Sequence, residues 1–106
     1  MILNIRIEDQ NYPVEVPDAI VSGAEEYFAM LDKDMSKGWQ MSRDWVDAPN
    51  VEQRCQIVCD RILTAFDHGN SKALTMYAAY ILNRLPGVKA VNIDGNGEMQ
   101  ETEFEF

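Results

Sequence analysis

The sequence predicts an α+β domain. β-hairpins at the two ends of the chain form a small antiparallel sheet against three helices, in the order ββ-α-α-α-ββ. Three observations carry that prediction. Apolar and polar residues alternate over residues 2–16 and again near the C-terminus, the period of half-buried strands. Between residues 18 and 85 apolar residues recur instead at steps of three and four, the period of helices. Gly, Pro and Asn fall at the joints between these stretches.

Leu3, Ile5 and Ile7 share one face of the first strand, with Asn4 and Arg6 opposite. Glu8-Asp9-Gln10-Asn11 breaks the run, and Tyr12, Val14 and Val16 alternate in the return strand. Pro13 lacks a hydrogen-bond donor, which places that strand at an edge or its first residue in a non-bonded position. Asp18 is a good N-cap for a helix carrying Ile20, Ala24, Tyr27, Phe28, Leu31 and Met35, and Gly38 ends it. Ser22-Gly23-Ala24-Glu25 also matches a capping box, so this helix has two candidate starts. Residues 39–49 connect onward with a high density of large side chains, and Ser42 is placed to cap a short helical turn.

Asn50 and Gln53 form a capping box for the next helix, whose stripe is Val51, Cys55, Val58, Cys59, Ile62, Leu63 and Phe66. His68-Gly69-Asn70-Ser71 then offers a left-handed stop and a new cap. Leu74, Tyr77, Ala78, Ile81, Leu82 and Leu85 continue the pattern, so the two helices form a central αα-hairpin. Pro86-Gly87 breaks the helix. A strand over residues 88–94, a turn at Gly95-Asn96-Gly97 and a return strand from Met99 to Phe106 complete the chain. A two-residue Asn96-Gly97 loop and a longer Gly-Asn-Gly loop give different registers, and both remain open.

At 106 residues and 46% hydrophobic content, residues 1–106 suit a single domain with one core. No basic start is followed by an unbroken apolar run in the first 25 residues. No stretch approaches the roughly 20 apolar residues of a membrane span. Cys55 and Cys59 sit four apart on one helical stripe, where a disulfide would strain the helix, so both read as reduced core residues. A cytoplasmic location is the expectation.

The net charge of −9 divides as −2 over residues 1–17, −4 over 18–48, +1 over 49–87 and −4 over 88–106. Such a surface repels phosphates and anionic lipid headgroups, which argues against direct nucleic-acid or membrane binding and permits a basic protein partner.

Trp39-Gln40-Met41-Ser42-Arg43-Asp44-Trp45 is the segment least explained by folding alone. Trp and Arg are the residues most enriched at binding hot spots, and Met adapts to contact surfaces. Trp39, Met41, Arg43 and Trp45 are therefore candidate partner anchors, with Arg54 and Arg61, seven apart on one helix, as orienting cations. Met76 and Tyr80 widen the apolar face of the second hairpin helix and mark a candidate homodimer face. Cys55, Cys59 and His68 could be imagined as metal ligands, but zinc commonly takes two close pairs and no second pair exists. The single histidine and the lack of a G-x-S-x-G elbow leave nucleophilic catalysis without a constellation.

The expectation is a small acidic, non-catalytic accessory or regulatory module that binds another protein, without a cofactor. An acidic decoy occupying the basic groove of a nucleic-acid-binding protein is the alternative, motivated by the charge and by Glu101, Glu103 and Glu105. A metal or thiol-redox protein is the third reading.

Overall fold

A computed structural model describes residues 1–106. The chain runs β1 (Ile2–Ile7), β2 (Gln10–Glu15), α1 (Asp18–Gly23), α2 (Glu25–Met35), β3 (Trp39–Met41) and β4 (Asp44–Val46). It continues as α3 (Val51–Asp67), α4 (Ser71–Arg84), β5 (Ala90–Ile93), a single 3₁₀ turn (Met99–Glu101) and β6 (Glu103–Glu105). The class is α+β, with strand pairs at both ends of the chain and helices between them, as the sequence predicts.

The main sheet has the order β2-β1-β5-β6. Each terminal pair is antiparallel, with Leu3 opposite Val14 and Val91 opposite Phe104. The two pairs join through β1 and β5, which run parallel with Ile5 opposite Val91, so the sheet is mixed rather than antiparallel throughout. Parallel neighbours need a long crossover, and the helices between β2 and β5 supply it. Pro13 lies on edge strand β2, where its missing donor breaks no interior ladder.

Leu3, Ile5 and Val91 project from one sheet face into a core shared with Phe28, Ile57, Val58, Ile62, Tyr80 and Ile81, all fully buried. Asn4, Arg6, Asn11, Asn92 and Glu105 cross-bond on the other face. No helix is long and apolar enough to cross a membrane.

The αα-hairpin forms as read. Asn50 and Gln53 make the reciprocal capping box, Gly69 takes φ +64°, and Asn70 accepts from the Ala73 amide at 3.1 Å. Three local expectations fail. The segment from 18 to 35 is two helices, broken at Ala24, and neither Asp18 nor Ser22 caps a helix. Asp18 instead accepts from the Met1 amino group, and the Ser22 hydroxyl donates back to the Asp18 carbonyl.

Ser42 does not cap a helical turn; it sits at φ +58° between β3 and β4, which form a separate two-stranded ribbon. The C-terminal connection is neither tight loop but the whole span from Asp94 to Thr102. Side chains satisfy its backbone in place of a ladder. Asp94 accepts from the Glu98 amide, Ser42 Oγ from the Met99 amide, and Gln56 donates to the Gln100 and Thr102 carbonyls.

Candidate interaction surface

In the β3–β4 ribbon Trp39 pairs with Val46, Gln40 with Trp45 and Met41 with Asp44. Successive side chains on a strand point to opposite faces, so the register sorts them. Met41 is fully buried, and Trp39 and Val46 pack against the core. Gln40 and Trp45 point away. Trp45 is 59% exposed, the most exposed large aromatic after the C-terminal Phe106.

That indole is nevertheless held. One edge lies against Gly38, where a Cβ atom would come within 2.4 Å of Trp45 Cζ2, and Gly38 has φ +103°. Only glycine combines that conformation with that approach. The indole Nε1–H donates to Asp47 Oδ1 at 2.8 Å. The ribbon is pinned at its turn by Ser42 Oγ, which donates to the Gly97 carbonyl at 3.0 Å and accepts from the Met99 amide. Arg43, at the same turn, is exposed.

On the inner side, the Arg61 guanidinium stacks 5.1 Å from the centroid of the Trp39 ring. Arg61 also lines a cleft of ≈ 290 Å³ with Asp60, Thr64, His68, Asn70 and Tyr77. Its charges are mixed, Asp60 opposing Arg61. Burial raises the pKa of Tyr27, and the Tyr77 phenol beside it adds to the shift.

Arg54 faces elsewhere. Its Nε donates to Asp32 Oδ1 at 3.0 Å and its Nη1 to the Pro49 carbonyl at 2.7 Å. Asp32 also accepts from the Tyr80 hydroxyl and twice from Arg84, at 2.9 and 2.7 Å. Arg84 forks onto Glu25 at 2.9 and 3.0 Å and stacks on Phe28 and Tyr80. The Glu25 bonds hold Arg84 more firmly charged than usual, and the Arg84 bonds pull the Glu25 carboxyl below its usual range. Burial, then the bond to Asp32, pushes the Tyr80 phenol up. This node joins α2, α3 and α4.

Of the six partner residues read from the sequence, Trp45 and Arg43 face solvent, Trp39 and Arg61 stack on each other, and Met41 and Arg54 turn inward. Tyr80 is fully buried with its hydroxyl engaged, so it presents no surface to a second copy, while Met76 is half-buried. Cys55 and Cys59 are buried and reduced; burial lifts the Cys55 thiol to about 12 and Cys59 well above its ordinary value. Such thiols are poor nucleophiles and poor ligands. His68 lies exposed at the end of α3, and no three His, Cys, Asp or Glu side chains converge to hold a metal ion.

Asp32 and Arg84 were missed as a pair, yet each carries a signal. Asp32 falls four residues after Phe28 and three before Met35, on the buried stripe, and Arg84 falls four after buried Tyr80. A charge on an apolar stripe calls for a partner. No protein-family model, curated protein or solved structure matches this chain.

Proposed function

We propose that the protein is a small, non-catalytic binding module of accessory or regulatory kind, which engages a partner protein through the outer face of the β3–β4 ribbon. The observation that carries this reading is the Trp45 indole, seated against Gly38 and hydrogen-bonded to Asp47 yet 59% exposed. An aromatic anchor fixed before binding loses little conformational freedom on association, which is why Trp dominates hot spots. Gln40, opposite Trp45 in the register, and Arg43 at the turn are also exposed on the ribbon. The decoy alternative draws less support, because Glu105, one of its glutamates, is engaged by Arg6 and Asn92.

Affinity capture from lysate with immobilised wild type and Trp45→Ala protein tests the reading. A partner retained by the wild type and lost from the folded variant is the expected result. Equal capture by both proteins removes the ribbon as the binding surface.

A further inference from the structure

The chemistry around Trp45 narrows what such a partner presents. The indole N–H, its only hydrogen-bond donor, is consumed by Asp47 Oδ1. What remains for a ligand is the ring's electron-rich face and, at its edge, a carboxylate. Asp47 enters none of the ion pairs of this chain. An aromatic face bordered by a carboxylate that no cation pairs suits a cation, because ring quadrupole and carboxylate attract the same charge.

The fold answers that preference internally elsewhere. Arg61 sits on Trp39, the other tryptophan of the same ribbon, and Arg84 sits on Phe28 and Tyr80 while bonding Asp32 and Glu25. Trp45 has a comparable aromatic-carboxylate arrangement with no cation of its own. Arg43 at the turn is offset by Asp44 beside it. The whole chain carries 18 acidic against 9 basic side chains, so long-range attraction also draws a basic partner.

We propose that the partner docks a basic segment on this ribbon, laying an arginine side chain on the exposed face of Trp45 with its guanidinium reaching the Asp47 carboxylate. This rests on the ribbon being the binding surface and adds the chemistry of what it binds. Arginine fits better than lysine, because its planar fork can stack on the ring and bond a carboxylate at once.

The test uses an (Arg-Gly)₄ peptide and its citrulline counterpart, which keeps the shape of arginine and removes the charge. Binding to the full chain is followed by NMR at the Trp45 Nε1–H and at the side-chain amide of Gln40, its cross-strand neighbour. The arginine peptide should shift both signals saturably, and the citrulline peptide should bind at least about fivefold more weakly. Trp45→Leu, which keeps every charge, and Asp47→Asn, which keeps an acceptor for the indole, should each weaken binding by a similar factor at Gln40. Glu103→Gln/Glu105→Gln, which removes charge at the sheet edge, should leave the Trp45 shift in place.

Equal binding of the citrulline peptide, or no effect of Trp45→Leu, overturns the proposal. So does an equal loss in the Glu103/Glu105 variant, since net charge alone would then account for binding. If the arginine peptide fails while lysate capture still depends on Trp45, the basic partner falls and the binding ribbon stands. If capture is also independent of Trp45, both fall.

Discussion

Around Asp32, two arginines, a tyrosine and a phenylalanine converge between three helices; along the β3–β4 ribbon lie two tryptophans, an arginine from α3 and an aspartate. The residue types match, but their surroundings do not. At the Asp32 node each charge finds its counter-charge within the chain, and no buried side-chain polar atom is left without a partner. On the ribbon, Trp39 receives Arg61 while Trp45 receives only an acceptor for its N–H. Satisfied aromatic-cation clusters hold helices together. The one at the surface, at Trp45, has no cation of its own.

The contrast predicts different costs of mutation. Asp32→Ala should be the most damaging, because it strips an acceptor from Arg54, Arg84 and Tyr80 together. With Asp32 26% exposed, the expected loss is about 2–3 kcal/mol, below the roughly 3–5 kcal/mol of a fully buried pair, read from urea denaturation. A loss under about 0.5 kcal/mol, typical of an ordinary surface site, would demote the node to a solvated ion pair.

Trp39→Ala should cost about 2 kcal/mol, less than a fully buried aromatic, since the indole is only half-buried. Gly38→Ala should cost about 1–2 kcal/mol through its positive φ and the clash with Trp45. It should also displace the indole, visible as altered quenching of Trp45 fluorescence by iodide. Unchanged quenching would mean that Gly38 does not seat the ring.

Trp45→Ala should change stability by no more than about 0.5 kcal/mol, as at other exposed positions. If the ribbon binds as proposed, the two tryptophans separate folding from binding: the Trp39 variant should unfold more easily and the Trp45 variant should lose the partner.

The smallest effect concerns acid. Arg84 at Glu25, and Asn92 with Arg6 at Glu105, hold these carboxyls below their ordinary 4.5 in the folded chain. A depressed folded pKa means stability present above about 4.5 and lost as pH falls through the folded value. Glu25→Gln should lower stability at neutral pH, change it little in acid where the wild-type carboxyl is already protonated, and so flatten the acid limb of a stability-against-pH curve below about 4.5. An unchanged acid limb would remove Glu25 from the node's energetics.

Much of this was legible in the residues. The stripe from Val51 to Phe66, the Asn50–Gln53 box and Gly69 specify the αα-hairpin because each acts over three or four positions. Pro13 marks an edge strand for the same local reason. Residues 39–45 stand out in the sequence as a run of large side chains, but which of them face solvent is not legible there. Met41 and Trp45 are both large, mainly apolar side chains, and only the Trp39–Val46 register tells that one faces the core and the other does not. Ser42 looked like a cap because its preferences for caps and for turns overlap.

The sequence by itself determined the α+β class, the αα-hairpin with its caps, the first β-hairpin, the buried stripes and the excess of acidic residues, all consequences of short-range periodicity and composition. Tertiary structure decided the parallel joining of β1 to β5, the partners of Arg54, Arg61 and Arg84, and the side of the ribbon that meets solvent. These depend on groups distant in the chain, as with Asp32 and Arg84, 52 residues apart. Such pairs meet only after the helices pack, and no local preference encodes which ones will.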